Sequence, residues 1–250
     1  MQNTTYQTVA LGDLLAPNPY PGRGIVIGQT PDGKHAVFAY FIMGRSENSR
    51  NRVFTHQPDG SVRTEAADPS KLKDPSLIIY APTRFAQFPA TGIVVTNGDQ
   101  TDTIVDGMAQ GLSFSESLRC REFEPDGPNW TPRISGFLNF KDNGYTYSMS
   151  ILKSADPEGS ACNRFTYDYE PLPGIGHFIH TYAGDGNPLP TFTGEPERVT
   201  IPDDIDELTN TIWDNLDQDN KISLLVRYIS LDGSKDHRIE QRMINKYTKV

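Results

Sequence analysis

Cysteine is scarce in this chain: Cys120 and Cys162 are the two thiols among 250 residues, far apart and without a metal-type spacing. That excludes a disulfide scaffold and a thiolate zinc centre, and a reducing cytoplasm is the expected compartment. Positive charge is short as well, with 23 Lys and Arg against 32 Asp and Glu and a formal net charge of -9. Nucleic acid and anionic membrane surfaces are therefore poor partners, because most of the surface would repel them. No apolar run approaches the roughly 20 residues that span a bilayer. The opening MQNTTYQTVALGDLLAPNPYPGRG lacks the basic start and apolar stretch of a signal peptide, so a soluble, unprocessed chain is expected. The Walker pattern, the Gly-x-Gly-x-x-Gly fingerprint and the Gly-x-Ser-x-Gly elbow are also missing. Histidine offers little: His177 and His180 in GHFIH would point to opposite faces of a strand, and His35, His56 and His237 are isolated. No metal and no cofactor are expected.

What is there is an ordinary core-forming composition, 36% hydrophobic. We read one domain over residues 1–250, with 1–22 as an N-terminal extension that includes a short helix near 9–15. Apolar runs at 24–28 (GIVIG), 35–43 (HAVFAYFIM), 77–81 (LIIYA), 92–97 (GIVVTN) and 221–230 (KISLLVRYIS) predict strands. Several are continuous rather than alternating, so both faces should be covered, as in the inner layers of a sandwich with helices outside. Pro-Asp-Gly at 31–33, 58–60 and 125–127, and Asn143-Gly144, predict hairpin turns and a largely antiparallel sheet. Helices are expected after Asp99, over SFSESLRC, and within 201–216, where acids occupy the first turn. The acidic loop 217–220 reads as a turn, since it lacks the glycine and terminal glutamate of a calcium loop.

Two stretches carry candidate chemistry. GRSENSRNR, at 44–52, leaves the end of the expected central strand and offers Arg45, Arg50 and Arg52 to a single anion, with Ser46, Asn48, Ser49 and Asn51 as uncharged partners. Composition alone reads it equally as a solvated loop whose arginines pair with nearby acids. VVTNGDQTDTI places a strand end at Asn97-Gly98 and a helix start near Asp99, where backbone amides suit a phosphate or carboxylate. Asp99, Asp102 and Asp106 read as caps and dipole partners before they read as metal ligands.

Five segments in order, YPGRGIVIGQTPDGK, GRSENSRNR, IIYAPTRF, VVTNGDQTD and TPRISGF, together resemble the archaeal-type IMP cyclohydrolases and their bacterial relatives. The resemblance covers about residues 20–140; the C-terminal half matches in hydrophobic pattern. It implies an α+β fold, a four-layer αββα sandwich similar to the N-terminal-nucleophile hydrolases with mostly antiparallel sheets. The implied activity is closure of 5-formamidoimidazole-4-carboxamide ribonucleotide to IMP with loss of water, without metal or cofactor. A small-molecule purine ribonucleotide would then be the partner, and self-association is left open. The arginine loop is longer than the archaeal pattern, so the pairing of Arg50 or Arg52 with the family arginine is left open too.

On that reading Arg23 and Arg45, with Arg52 as next choice, would take the 5′-phosphate. Tyr80 would donate to the formyl oxygen, Asn97 would fix the carboxamide, Glu124 would move protons, and Arg133 would hold Glu124 or touch substrate. Each also has a plainer reading: a core tyrosine, a structural amide, a surface ion pair. Two other functions stay open, a non-catalytic purine-nucleotide-binding module and an amide hydrolase on the same fold. The latter would need a nucleophile freed at a processed N-terminus.

Overall fold

The computed structural model describes residues 7–72, 75, 78–86, 91–141, 144–232 and 238–249; Leu77, Asn143 and His237 lie outside them. In chain order the strands are β1 (Arg23–Gln29), β2 (His35–Met43), β3 (Val53–His56), β4 (Val62–Glu65), β5 (Thr83–Ala86), β6 (Gly92–Thr96), β7 (Arg133–Lys141), β8 (Gly144–Ser154), β9 (Cys162–Tyr169), β10 (Ile175–His180), β11 (Glu197–Thr200), β12 (Lys221–Ser230) and β13 (Ile239–Asn245). The helices are α1 (Leu11–Leu15), α2 (Glu47–Arg50), α3 (Gln100–Ala109), α4 (Phe114–Ser117) and α5 (Ile205–Asn215). None is long and apolar enough to cross a membrane.

Two antiparallel sheets result, one of six strands in the order β11-β10-β1-β2-β12-β13 and one of seven in the order β3 through β9. Side chains alternate across β2, and each set has its own core. Ala36, Phe38, Tyr40 and Ile42 join Ile25, Val95, Ile134 and Leu138 between the sheets. Val37, Ala39, Phe41 and Met43 pack instead with Leu11 and Leu15 of α1 and Leu208 and Ile212 of α5. A third core holds Val94 and Phe137 against Ile104, Met108 and Phe114 of α3 and α4. A strand buried on both faces gains nothing from polar alternation, which is why HAVFAYFIM and KISLLVRYIS read as continuous apolar runs.

The β1–β2 hairpin turns at Gly33 (φ 72°) and the β3–β4 hairpin at Gly60 (φ 79°), as Pro-Asp-Gly predicts at both places. The third Pro-Asp-Gly, at 125–127, makes no hairpin. Asp126 is turned onto the Thr131 amide, and Gly127 lies so close to the Trp130 ring that a Cβ there would come within 2.8 Å of it. The described part of LIIYA, residues 78–81, makes no strand either. Pro75 and Pro82 flank it, and Thr64 of β4 satisfies its backbone instead: the Thr64 amide donates to Tyr80 O at 2.8 Å, and Oγ1 accepts from Tyr80 N at 2.8 Å.

The hairpin register places Arg23 opposite Ile42, so the start of β1 and the exit of β2 share one end of the sheet. In the other sheet Thr96 pairs with Ser135, which brings the exit of β6 beside the start of β7. The loops leaving these ends build the candidate site.

Candidate active site

GRSENSRNR folds into one helical turn, α2, because Ser46 and Ser49 cap each other. Ser46 Oγ accepts from Ser49 N at 3.1 Å and Ser49 Oγ accepts from Ser46 N at 3.0 Å. The turn sends its three arginines to different places. Arg50 points away, donating to Gly44 O and Asn220 Oδ1. Arg52 is fully buried beneath the turn, with Nε donating to Ser49 O at 2.7 Å and Nη2 to Met43 O at 3.2 Å. Arg45 stays at the rim, paired with Asp185 and 5.1 Å over the Tyr20 ring. The expectation that all three converge on one anion is thereby corrected: the capping geometry rotates Arg50 out of the group.

Arg23 replaces it. Arg23, Arg45 and Glu124 line one cavity of about 260 Å³, together with Tyr20, Tyr182 and Asn48. Two residues of its wall carry a buried polar atom without a hydrogen-bond partner, Arg23 Nε and Asn48 Oδ1, and Arg52, within the field of Arg23, carries a third at Nη1. Buried donors are almost always satisfied, and leaving one unmade costs about 1–3 kcal/mol. A guanidinium with a spare N–H in the cavity wall, backed by a second one in its field, therefore describes a place prepared for an anion or for a developing negative oxygen.

The electrostatics agree. Burial pulls the Arg23 guanidinium down, but Glu124 and the surrounding tyrosines more than reverse this and hold it firmly charged. Arg52 is lowered, by burial first and then by the neighbouring charge of Arg23. Glu124 is buried and its carboxyl is raised above the ordinary range, because desolvation outweighs the attraction of Arg23, Arg133 and Arg52. A carboxyl held in that way can accept a proton and return it.

Tyr80 and Tyr40 meet through their hydroxyls at 2.7 Å. Tyr40 is held well above its ordinary value by burial and by Tyr80. The Tyr80 segment lines a neighbouring cavity of about 520 Å³, while its hydroxyl lies within the field of Arg23 and Arg52.

Asn97 is placed differently from the carboxamide-fixing role expected of it. Its Nδ2 donates to Pro132 O at 2.8 Å, and its Oδ1 accepts from Gln100 Nε2 and from Ile134 N, both at 2.9 Å. The side chain ties β6 to β7. Arg133 donates to Asp99 Oδ1 at 2.7 Å and Gln100 Oε1 at 2.8 Å, so it reaches Glu124 through its field and not through a bond. Asp99 also pairs with Arg121, while Arg84 bridges toward Asp102 and Asp106. His177 and His180 part to different neighbours, Tyr147 and the Tyr182 carbonyl. Among the described residues no three His, Cys, Asp or Glu side chains gather to hold a metal, and both cysteines are free.

Sequence reasoning missed Tyr20, Tyr40, Thr131 and Tyr182, and saw Asp126 only as a turn residue. Tyr20 and Tyr182 stack with centroids 5.9 Å apart, although 162 positions separate them in the chain. No local pattern marks such a pair.

The family described as "IMP cyclohydrolase-like protein" matches residues 20–234. The chain is 32% identical over 158 residues to an IMP cyclohydrolase of Methanosphaera stadtmanae, covering 60% of this chain and 74% of that one. It is 32% identical over 124 residues to an IMP cyclohydrolase of Methanococcus aeolicus, covering 48% of this chain and 58% of that one. To one of Methanococcus maripaludis it is 33% identical over 130 residues, or 50% of this chain and 61% of the relative. The matched region contains the β1–β2 hairpin, the arginine loop, Glu124 and Tyr182, and on this evidence the chain belongs to the IMP cyclohydrolase-like family.

Proposed function

We propose that this chain closes 5-formamidoimidazole-4-carboxamide ribonucleotide to IMP with loss of water, the last step of purine synthesis. The observation that carries the reading is the pair of buried guanidinium groups with unused N–H beside a buried carboxyl of raised affinity for protons. The reaction involves no net oxidation or reduction. It needs two groups of one molecule held together, a transient oxyanion supported, and protons moved.

The carboxamide nitrogen forms the new C–N bond to the formyl carbon and gives one hydrogen to Glu124. The formyl oxygen takes the negative charge beside Arg23 and Arg52 and becomes a hydroxyl by taking the Tyr80 hydroxyl proton. That hydroxyl leaves as water with the proton from Glu124, while the formamido nitrogen gives its hydrogen back to Tyr80 and the ring C=N bond forms. Arg45, at the rim, suits the 5′-phosphate, which stays nearest solvent. Arg133 and Asn97 act as positioning residues: one keeps its charge near Glu124, the other joins the two strands that frame the cavity.

The scaffold belongs to the same proposal: a single domain, layered helix–sheet–sheet–helix around the three cores, similar to the N-terminal-nucleophile hydrolases. The fold can be shared without that chemistry. A reducing cytoplasm and a small purine ribonucleotide as partner complete the reading. The test is direct: the purified protein is mixed with the formamido ribonucleotide and IMP is followed by absorbance. Turnover above the spontaneous rate is expected. Its absence overturns the reading, and IMP binding without turnover selects a nucleotide-binding module instead.

A further inference from the structure

Asp126, Thr131 and Tyr182 all line the cavity and form one hydrogen-bonded line. Thr131 N donates to Asp126 Oδ1 at 2.7 Å, and Thr131 Oγ1 donates to Asp126 Oδ2. Thr131 Oγ1 and the Tyr182 hydroxyl are 2.5 Å apart. Thr131 and Tyr182 are both buried.

The direction of this line is determined. A carboxylate has no hydrogen to give, so the single hydroxyl hydrogen of Thr131 goes to Asp126. Thr131 Oγ1 can then only accept, and the hydrogen on the Tyr182 hydroxyl goes to Thr131. Tyr182 is left with a lone pair and no hydrogen to offer the cavity. Its ring is held by stacking on Tyr20, itself covered by Arg45, so the phenol oxygen cannot swing to another partner.

We propose that Tyr182 meets the bound ligand as a hydrogen-bond acceptor, and that Thr131 and Asp126 are positioning residues that fix this polarity. Resting on the nucleotide reading above, the group recognised is an N–H or O–H donor of a purine ribonucleotide. Three such donors exist on IMP: the ring N1–H, which descends from the carboxamide nitrogen, and the ribose 2′- and 3′-hydroxyls. The role also complements the rest of the cavity, where the guanidinium groups supply donors and a neutral acceptor is needed to orient a donor on the ligand.

Asp126→Asn reverses the line without changing its shape. The Asn Oδ1 stays on the Thr131 amide, and Nδ2 takes the place of Oδ2 and donates to Thr131 Oγ1. Thr131 then gives its hydrogen to Tyr182, whose own hydrogen turns into the cavity and faces the ligand's donor. Calorimetric titration of the full chain with IMP, N1-methyl-IMP, 2′-deoxy-IMP and 3′-deoxy-IMP reads the effect. Asp126→Asn is expected to weaken IMP by about tenfold or more, the size of one mismatched buried hydrogen bond. Against the analogue lacking the recognised donor, the variant and the unaltered protein should bind alike. Loss of the effect with N1-methyl-IMP identifies the ring nitrogen, and loss with 2′-deoxy-IMP or 3′-deoxy-IMP identifies that ribose hydroxyl.

Tyr182→Phe, which removes only the oxygen, provides the same test if Asp126→Asn folds poorly. It too should weaken IMP and spare one analogue. Equal weakening of all four ligands is what a merely structural role produces, and it overturns the inference, as does no weakening of any. An unaltered protein that fails to bind IMP overturns the nucleotide reading with it; IMP binding with donor-independent variants overturns this inference alone.

Discussion

Two groups of arginines sit near the framed end of the sheets, and they are finished in opposite ways. Arg133 and Arg121 share Asp99, whose carboxyl burial would raise but which the Arg121 hydrogen bond and the Arg133 charge hold below its ordinary value. Arg133 also has Gln100. Arg23 and Arg52 face a carboxyl they do not touch, and each keeps a buried N–H without a partner. A satisfied charge group holds strands together, whereas an unsatisfied one is completed by something that arrives. Removing members of the two groups should therefore separate stability from activity.

The largest contrast is expected between Arg23→Met and Arg133→Met. Arg23→Met should cut kcat/KM by roughly a thousandfold, as loss of a preorganised donor to a developing oxyanion does. Its urea midpoint should hold or rise, because a buried charge without a bonded partner is replaced by an apolar chain of similar length. Arg133→Met should lower the unfolding free energy by about 1–3 kcal/mol, since Asp99 and Gln100 lose a shared donor. Turnover should fall less. If Arg23→Met unfolds the protein while Arg133→Met leaves it intact, the division between the groups is wrong.

Glu124→Gln comes next, with kcat expected to fall by about 100-fold or more and KM to change little. The same variant has a stability signature. Glu124 binds its proton more tightly folded than unfolded, so its contribution to stability is complete below 4.5, its ordinary value, and is lost as the pH rises through the raised folded value. Glu124→Gln should match the unaltered protein in melting temperature below pH 4.5 and exceed it near neutrality. Arg45→Ala is a smaller step. Its guanidinium is a third exposed and pairs with a half-exposed Asp185, so stability should barely move. Loss of the rim contact should appear as a KM increase of about tenfold, with kcat unchanged.

How much of this was legible depends on where the determining contacts lie. β2 and β12 match the apolar runs at 35–43 and 221–230 residue for residue, because strands buried on both faces write their limits into composition. β9, with alternating and mostly exposed residues at the edge of its sheet, had no such run to mark it. LIIYA misled because its backbone is satisfied by Thr64, a residue outside the segment. In the site, Arg23, Arg52 and Glu124 were expected from the family resemblance and lie within one another's fields. Asn97 looked free in sequence since its partners, Pro132 and Ile134, are more than thirty residues away. The Thr131–Tyr182 contact spans 51 positions and could not be read at all.

The smallest expected effect lies away from the cavity and has the opposite sign to that of Glu124. His177 stands on β10 with the Tyr147 hydroxyl 2.7 Å from its Nδ1 and the Tyr169 ring stacked 3.7 Å away. Burial, and then the charge of Arg198, pull its pKa from 6.5 down to about 4. Unfolded, the imidazole gains a proton near 6.5; folded, it resists until about 4. Stability from this group is therefore complete above 6.5 and is lost as the pH falls toward 4, with a slope of at most about 1.4 kcal/mol per pH unit. Over that window Glu124 acts in the other direction, because protonation favours its folded form. His177→Gln should flatten the acid loss in denaturant titrations between those limits, and Glu124→Gln should steepen it. Neither change in slope should follow kcat, since His177 is outside the cavity and the stability effect of Glu124 does not depend on bound ligand. If His177→Gln leaves the slope as it was, the imidazole is more open to water than its stacking on Tyr169 and its contact with Tyr147 imply.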